Sequence, residues 1–215
     1  MRKVVILAMC LLFAMIAVPG LAFQSTDWSK TTVESTGISG MYTSLALSGN
    51  NARISYCSNG ILKYASYNGS SWSTESIDTN CRLGEGTSIQ LDSSANPKVS
   101  YIDVTTYDLK YASHNGSSWS ISTVDSAGWV GYYSSLQLDD SNNPKISYFD
   151  ATNGDLKYAS HNGSSWSIST VDSTGWVGLY TSLVLDSSNN PKISYYDSSN
   201  GSLKYASHNG SSWSI

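Results

Sequence analysis

A repeat of 47 residues is the feature that most constrains this chain. The string Lys-Tyr-Ala-Ser-x-Asn-Gly-Ser-Ser-Trp-Ser begins at Lys63, Lys110, Lys157 and Lys204, so successive copies start 47 residues apart. Between residues 110–156 and 157–203, nine of the 47 positions differ. Self-similarity at a fixed period of this size is typical of modular arrays, in which each repeat folds as one unit and packs on its neighbours.

Within a repeat, apolar and polar residues alternate as they do in β-strands. In one copy the four predicted strands are residues 135–139, 145–150, 156–160 and 166–172. A Ser-Asn-Asn-Pro turn separates the first two, and Asn162-Gly163 separates the last two, where both residues tolerate positive φ. No segment after the N-terminal leader has a convincing helical period, so we expect an all-β protein.

Four short antiparallel strands repeated every 47 residues predict the blade of a β-propeller, because known propeller repeats have periods of about 40–50 residues. We expect a β-propeller built from four such four-stranded blades, with repeats at about 28–71, 72–118, 119–165 and 166–215. The sequence leaves open whether these four blades are a fragment of a larger propeller. Trp28 to Ser35 match the fourth strand of a repeat and are expected to pair with the last blade.

Residues 1–22 have the features of a secretory signal peptide. Arg2 and Lys3 precede an apolar run from Val4 to Val18, and small residues precede an expected cleavage after Ala22. The run has 15 residues, which is shorter than the ~20 needed to span a bilayer. We therefore expect a secreted or cell-surface protein, with the propeller in residues 23–215 and no membrane span after cleavage.

The charge of the chain argues against nucleic acid as a partner. The formal net charge is −4, and it becomes −6 when Arg2 and Lys3 leave with the leader. A protein that binds nucleic acid through its phosphates needs an excess of Lys and Arg. We expect no nucleic-acid partner.

Two cysteines remain after the leader, and both lie where the first repeat departs from the others. Cys57 begins a shortened connection between the second and third strands, and Cys81 lies in a divergent connection after the fourth strand. Both connections emerge on the same face of a propeller, and an exported protein meets oxidising conditions. We expect a Cys57–Cys81 disulfide, with two free thiols as the alternative.

The connection from the fourth strand of one repeat to the first strand of the next is the best candidate for a binding site. It contains Trp129 in one copy and Trp176 in the next, each between two glycines. Aromatic surface beside carboxylates suits sugars, which stack through their C–H faces and hydrogen-bond through their hydroxyls. The candidate ligand-binding residues are Trp129, Tyr132, Tyr133, Asp150, Trp176, Tyr180 and Asp197. The alternative is that the tryptophans only fill the gap between blades.

The sequence offers no convincing metal or cofactor site. His114, His161 and His208 occupy equivalent hairpin positions in successive blades, so they cannot converge on one metal and are interpreted as solvated turn residues. Asp150 and Asp155 flank a Gly-containing connection whose oxygens could ligate calcium. The short spacing, and the loss of the second Asp in the last copy, favour an Asx-type turn instead.

The hairpin sequence carries a resemblance to a known family. Ser-His-Asn-Gly-Ser-Ser-Trp, at 113–119, 160–166 and 207–213, resembles the Asp-box of sialidase-like propellers, with Asn in place of Asp and a turn one residue shorter. The period also resembles that of the tachylectin type of five-bladed lectin. Similar repeats occur in uncharacterised secreted and cell-surface propellers of bacteria and archaea. The Asp-box is a folding motif and implies no catalytic residue.

These observations favour a non-catalytic extracellular module that binds glycans or proteins at the cell surface through repeated loops between blades. Near-identical blades would make such binding multivalent. One alternative is a structural spacer in a larger surface protein. The other is a remnant sialidase-like glycoside hydrolase, but such an enzyme needs clustered arginines for the substrate carboxylate, and only Arg53 and Arg82 follow the leader. We expect no catalytic residues.

Overall fold

The structure is a computed structural model that describes residues 29–81 and 86–215. Residues 32–215 form one compact unit. All regular secondary structure in the described ranges is β-strand. No helix there is long and apolar enough to cross a membrane. The expected signal peptide, Trp28 and Arg82 lie outside the described residues.

Sixteen strands form four antiparallel sheets of four strands each, and each sheet is one blade. Blade 1 contains β1 (Ser39–Ser48), β2 (Asn51–Ser58), β3 (Ile61–Tyr67) and β4 (Trp72–Asp78). Blade 2 contains β5 (Thr87–Leu91), β6 (Pro97–Asp103), β7 (Asp108–His114) and β8 (Trp119–Asp125). Blade 3 contains β9 (Val130–Leu138), β10 (Pro144–Asp150), β11 (Asp155–His161) and β12 (Trp166–Asp172). Blade 4 contains β13 (Val177–Leu185), β14 (Pro191–Asp197), β15 (Ser202–His208) and β16 (Trp213–Ser214).

The blades are arranged side by side around their first strands. β1 contacts β5, β5 contacts β9 and β9 contacts β13, so the first strand of each blade is innermost and the fourth is outermost. This confirms the all-β propeller expected from the 47-residue period. Because strands alternate in direction, the second-to-third and fourth-to-first connections share one face, here called the loop face. The first-to-second and third-to-fourth connections share the opposite turn face.

An apolar junction joins each blade to the next. Leu109 on β7 packs with Val130 and Leu136 of blade 3, and the same contacts recur 47 residues later between blades 3 and 4. Two glycines allow the close approach: a Cβ added to Gly131 would lie 2.9 Å from the Leu109 Cα, and one added to Gly178 would lie 2.7 Å from the Leu156 Cα. The third strands of blades 2 and 3 therefore lie against the first strand of the following blade.

A polar contact accompanies each apolar junction. The last residue of the fourth strand is an Asp that accepts a hydrogen bond from a buried Tyr of the next blade. The three pairs and their O–O distances are Asp78–Tyr101 (2.5 Å), Asp125–Tyr148 (2.6 Å) and Asp172–Tyr195 (2.7 Å). Each of the later two carboxylates also pairs with a Lys of the next blade. Lys157 Nζ lies 3.1 Å from Asp125, and Lys204 Nζ lies 2.5 Å from Asp172. Burial, followed by the hydrogen bond to the carboxylate, raises the pKa of each of these tyrosines.

The N-terminal segment differs from its expected structure. Residues 29–35 are not part of any sheet, so the expected strand pairing with the last blade is not observed. Glu34 nevertheless stands at the position of the junction aspartates, because its carboxylate accepts hydrogen bonds from Tyr56 and Lys63 of blade 1. Trp28 to Glu34 is the same spacing as Trp72 to Asp78. Glu34 thus makes the side-chain contacts that the last residue of a preceding fourth strand makes in the other junctions, although residues 29–35 form no strand.

Candidate functional site

Trp129 and Trp176 occupy equivalent positions on the loop face, and hydrogen bonds hold their main chains to the following blade. The N–H of Trp129 donates to Thr152 Oγ1 at 2.7 Å, and its carbonyl accepts from the N–H of Ala151. Trp176 makes the same two contacts with Ser199 Oγ, at 2.7 Å, and with the N–H of Ser198. Each Trp is therefore fixed by the second-to-third connection of the following blade.

The two indoles lean in the other direction, onto the preceding blade. Trp129 stacks on Tyr107, with ring centroids 5.1 Å apart and an interplanar angle of 28°. Trp176 lies over Gly154, where an added Cβ would be 2.7 Å from Cε3, and meets the edge of Phe149. Trp129 is 56% exposed and Trp176 is 45% exposed. Both side chains fill the gap between blades and also present aromatic surface to solvent.

The expected tyrosines lie on strands rather than in the connection. β9 begins at Val130, so Tyr132 and Tyr133 belong to the innermost strand of blade 3, and Tyr180 has the corresponding position on β13. The predicted strand, 135–139, starts later than β9 because the strand pairing is irregular at this point, and Tyr133 and Tyr180 both have a φ of 54°. Their rings are 4.4 Å apart, and Tyr180 is 64% exposed.

The two expected aspartates have a different role in the structure. Asp150 and Asp197 lie beside the tryptophan connections but are 0% and 2% exposed. The Asp150 carboxylate accepts N–H bonds from Thr152 and Asn153 and pairs with Lys157 at 3.3 Å. These are the contacts of an Asx-type turn. Both carboxylates accept hydrogen bonds from their own loops. The solvent-facing part of the loop-face site therefore consists of aromatic side chains and main-chain groups.

The disulfide expected between Cys57 and Cys81 is present, with the Cα atoms 6.0 Å apart. Cys57 is the penultimate residue of β2, as Phe149 is of β10, and Cys81 lies in the connection that contains Trp176 two blades later. The N–H of Cys81 also donates to the Gly60 carbonyl at 2.8 Å. In the first junction, a covalent bond thus replaces the aromatic contact found between blades 3 and 4.

The turn face contains two matched grooves that the sequence analysis did not anticipate. One groove, of about 310 Å³, lies between blades 2 and 3, and the other, of about 290 Å³, lies between blades 3 and 4. Every residue that lines the first has its counterpart 47 positions later in the second. The first is lined by Asp92, Lys98, Tyr111, Ser113, Ser122, Asn142, Asn143, Pro144, His161, Gly163 and Trp166. The second is lined by Asp139, Lys145, Tyr158, Ser160, Ser169, Asn189, Asn190, Pro191, His208, Gly210 and Trp213.

An aromatic wall lies on one side of each groove. Trp166 meets Tyr111 of the preceding blade edge to face at 5.6 Å and His161 of its own blade at 5.0 Å. Trp213 makes the corresponding contacts with Tyr158 and His208. Within the described ranges, the Nε1–H groups of Trp166 and Trp213 have no protein acceptor. Of the three histidines interpreted as solvated turn residues, His161 and His208 line the grooves.

Charged and amide groups form the other side of each groove. Lys98 Nζ lies 3.0 Å from Asp92 and donates to the His114 carbonyl at 2.7 Å. Lys145 repeats this arrangement with Asp139 and the His161 carbonyl. Burial would raise the pKa of the two carboxyls, but the hydrogen bonds and the adjacent ammonium outweigh it and lower both pKa values. Each groove thus offers a fixed ion pair facing an indole.

The junction between blades 1 and 2 has different chemistry on this face. Trp119 Nε1 donates to Glu75 at 3.1 Å, where the later blades have Ser122 and Ser169. Arg53 replaces the groove lysine and donates to the Tyr67 carbonyl at 2.6 Å. Because the indole N–H of Trp119 is already hydrogen-bonded, this junction does not offer a free indole donor beside a Lys–Asp pair. Only the two later grooves share that arrangement among the described junctions. His161 and His208 could have been identified from the sequence by noting that the hairpin and the Asn-Asn-Pro turn of one blade share one face.

The described residues contain no group of three or more His, Cys, Asp or Glu side chains that could hold a metal ion.

No family model matches the chain, and no curated protein matches it either. Comparison with solved structures, in contrast, finds clear relatives in fold.

Three of these structures illustrate the likeness. AofleA from Arthrobotrys oligospora aligns with a TM-score of 0.62 at 14% identity, over 80% of this chain and 55% of its own. The Aleuria aurantia lectin, a six-bladed β-propeller that recognises fucose, aligns with a TM-score of 0.60 at 14% identity, over 80% and 59%. The exo-β-1,3-galactanase of Phanerochaete chrysosporium aligns with a TM-score of 0.55 at 10% identity, over 83% and 49%. The chain spans about half to three fifths of the length of these proteins, and identities this low show the fold alone.

Proposed function

We propose that this propeller is a non-catalytic, extracellular carbohydrate-binding module whose glycan sites are the two matched turn-face grooves. The observation that carries the proposal is the repetition of the whole lining, aromatic and polar, at an interval of 47 residues. Packing between blades accounts for the apolar contacts, including those of Trp166 and Trp213, which pack on the junction cores. It does not require a second copy of an ion pair, an amide and an indole N–H around an open groove.

The groove chemistry suits a pyranose ring. The C–H face of a sugar packs on aromatic side chains, and its hydroxyls need donors and acceptors held in fixed positions. Trp166 supplies the aromatic surface and an N–H donor, and the Lys98–Asp92 pair supplies a cation and a carboxylate. At about 300 Å³ the grooves lie at the lower end of the range for small-molecule sites, which suits one or two sugar units.

Propellers of the same fold give this proposal its context. The Aleuria aurantia lectin recognises fucose on a six-bladed propeller, and the galactanase acts on a glycan chain. Two grooves with the same lining would bind the same sugar, so that branched or surface-bound glycans would be held with avidity. We further propose that residues 1–22 are a signal peptide that exports the module, which the Cys57–Cys81 disulfide supports.

Trp129 and Trp176 on the loop face are a second candidate location for the same function. Each exposes about half of its surface beside main-chain groups held by the next blade. Their polar surroundings are poorer than those of the grooves, because Asp150 and Asp197 are buried and engaged. We therefore place the principal sites in the grooves.

The remaining alternatives are a structural spacer and a sialidase-like hydrolase. In the described part of the chain, Arg53 is the one arginine, and its guanidinium binds main-chain carbonyls of its own blade. A carboxylate-binding arginine cluster is therefore not formed by these residues. A spacer would require no open polar grooves, and it predicts no binding to any glycan.

A glycan array probed with the purified chain tests the proposal. We expect binding to a restricted set of glycans that is lost in the Trp166→Ala, Trp213→Ala double variant and retained in the Trp129→Ala, Trp176→Ala double variant. Trp72→Ala is a matched control, because this Trp opens a fourth strand but packs on Tyr67 of its own blade. Circular dichroism of each variant separates lost binding from lost folding.

Each result has a definite meaning. Loss of binding in the Trp129, Trp176 variant alone would move the sites to the loop face. No binding by the folded parent chain would reject the lectin-like function and favour a spacer. Single Trp166→Ala and Trp213→Ala variants should each bind soluble monosaccharide at half the stoichiometry, and should lose far more affinity for a glycan-coated surface because avidity needs both sites.

A further inference from the structure

The carboxylate in each turn-face groove is already filled by hydrogen bonds from the protein. Asp92 Oδ1 accepts from the main-chain N–H groups of Ser94 and Asn96, both at 2.9 Å. Its Oδ2 accepts from the Asn96 side chain at 3.3 Å and from Lys98 at 3.0 Å. A carboxylate has about four lone-pair sites, so Asp92 has none left for a ligand. Asp139 is engaged in the same way in the second groove.

The groups that remain open around the first groove are mainly donors. Lys98 has three N–H donors, of which one goes to the carboxylate and one to the His114 carbonyl. The Nδ1 atom of His161 accepts a main-chain N–H at 3.0 Å, so the neutral ring carries its proton on Nε2. Trp166 adds its Nε1–H, which has no acceptor in the described part of the chain. An ammonium, an imidazole N–H and an indole N–H are therefore available to a ligand.

Open acceptors are fewer. The Asn143 side chain donates from Nδ2 to Asp139, which leaves its Oδ1 as an acceptor in the first groove. Hydroxyl groups in the lining can act either way. In the second groove, the third N–H of Lys145 goes to Ser160 Oγ at 2.9 Å, a neutral acceptor that a charged one can displace. This inventory favours a ligand with a strong acceptor beside a hydroxyl.

The junction between blades 1 and 2 shows one acceptor that this arrangement binds. Trp119, the counterpart of Trp166, donates its Nε1–H to a carboxylate oxygen of Glu75 at 3.1 Å. Arg53 stands at the position of the groove lysine, but its guanidinium donates to main-chain carbonyls, and the described residues show no ion pair between it and Glu75. The Glu75 carboxylate is therefore held there by the indole N–H.

A serine stands at the position of Glu75 in the two later grooves. Ser122 lines the first groove, and Ser169 lines the second. A serine is two carbons shorter and carries no carboxylate, so the place of the Glu75 carboxylate is open to a ligand there. Trp166 and Lys98 line the same groove and would meet a ligand carboxylate with an N–H and an ammonium, the stronger class of hydrogen bond.

From this inventory and this internal precedent we infer that the turn-face grooves bind an acidic sugar, a uronic acid whose carboxylate takes the place that the Glu75 carboxylate has in the first junction. The inference rests on the proposed function of the grooves and specifies its ligand class. The sugar ring packs on Trp166, its carboxylate accepts from the indole and from Lys98, and a hydroxyl donates to Asn143 Oδ1. A neutral sugar covers the ammonium without offering it a charged partner.

Isothermal titration calorimetry of the purified chain tests the inference with disaccharides of galacturonic acid and of glucuronic acid. Each acid is compared with its methyl ester and with the corresponding neutral disaccharide. We expect two binding equivalents for at least one of the acids, with an affinity at least about 10-fold above that of its ester, as for a hydrogen bond between charged groups. Equal affinities for acid and ester would overturn the inference.

Three variants test the position of the carboxylate. Ser122→Glu places the Glu75 carboxylate in the first groove and should reduce the acid from two equivalents to one. Ile121→Glu is the control with a matched negative charge, because this residue is 44% exposed on the same strand and is not part of the groove lining; it should retain two. Glu75→Ser should free the Trp119 N–H and raise the number to three. Two equivalents in Ser122→Glu or in Glu75→Ser would contradict the inference.

Failure of this inference differs from failure of the proposed function. Neutral glycans that bind, and lose binding in the Trp166→Ala, Trp213→Ala double variant, would keep the groove sites and reject the acidic ligand. Binding of sulfated sugars in place of the uronic acids would likewise reject the carboxylate. No binding of any glycan by the folded chain would reject both proposals.

Discussion

Glu34 accepts a hydrogen bond from the buried Tyr56 hydroxyl at 2.6 Å. In each of the other three blades, the corresponding buried Tyr donates to an aspartate at the end of the preceding blade. The relation is notable because Glu34 belongs to no strand. The blade junction thus consists of two separable parts, an apolar contact between strands and a carboxylate that meets a Tyr. In blade 1 only the second part is present.

Replacement of Glu34 by Gln should destabilise the fold in a pH-dependent way. Hydrogen bonds from Lys63 and then Tyr56 lower the Glu34 pKa from 4.5 to about 2. A carboxyl whose pKa is lowered on folding stabilises the protein above its unfolded pKa, and that contribution is lost as the pH falls through the folded value. We expect Glu34→Gln to cost about 2 kcal/mol at pH 7, as for a hydrogen bond to a charged group. Urea unfolding from pH 7 to pH 2 should show this difference shrinking below about pH 4.5.

A difference that stays constant over this range would show that Glu34 acts through packing rather than charge. Lys63→Met provides a second check, since it removes the ion pair and leaves the Tyr56 hydrogen bond. Its effect should be smaller than that of Glu34→Gln and should follow the same pH dependence.

Two glycines at equivalent positions should respond very differently to Ala. At Gly178 the new Cβ would lie 2.7 Å from the Leu156 Cα, and main-chain atoms cannot move aside without separating two blades. At Gly40 the new Cβ would meet nothing within 4 Å. Both have positive φ, so both pay the conformational cost of about 1–2 kcal/mol. We expect Gly178→Ala to cost at least about 2 kcal/mol more than Gly40→Ala, in the range of overpacked interiors.

Thermal or urea unfolding measures this comparison. Equal costs for the two substitutions would mean that the junction between blades 3 and 4 opens to accept the extra methyl group. Gly131→Ala is the internal replicate, because its added Cβ would lie 2.9 Å from the Leu109 Cα.

The repeat was enough to predict the propeller, because a 47-residue period with four alternating segments allows few other arrangements. It was not enough to locate the grooves. Their walls combine a turn and a hairpin of one blade with strand residues of the preceding blade, as His161 and Tyr111 show, and this proximity follows from blade stacking rather than from sequence neighbours. The sequence predicts β9 only from residue 135 and so leaves out Tyr132 and Tyr133, because a bulge interrupts the alternation on which strand prediction depends.

Loss of the Cys57–Cys81 disulfide should destabilise the first junction. The bond closes a loop between residues separated by 24 positions, which in the chain-entropy model is worth about 3 kcal/mol. We expect the Cys57→Ser, Cys81→Ser double variant to unfold at lower urea concentration by that amount. Reductant should shift the wild type to the same midpoint and leave the double variant unchanged. A wild type indifferent to reductant would mean that the contacts around Gly60 hold the junction without the covalent bond.

Replacement of Tyr180 by Gly separates a structural from a binding role for the exposed tyrosines. Tyr180 has a φ of 54°, a region that costs a bulky side chain about 1–2 kcal/mol and that Gly adopts freely. Blade 2 already has Gly86 at the corresponding position, with a φ of 78°. The ring is 64% exposed, and its described aromatic partner is Tyr133. We therefore expect Tyr180→Gly to change the free energy of unfolding by less than about 1 kcal/mol, because relief of strain offsets the lost ring contact and the greater freedom of the unfolded chain.

Tyr195→Ala is the matched control for this measurement, since that ring is 1% exposed and hydrogen-bonds Asp172 at 2.7 Å. It should cost at least about 3 kcal/mol, as for other large-to-small changes in a core. If Tyr180→Gly is as costly as the control, the tyrosine pair is a packing element of the innermost strands. If it leaves stability unchanged and reduces glycan binding, the strained tyrosine serves a ligand on the loop face, and the turn-face grooves are not the whole of the binding surface.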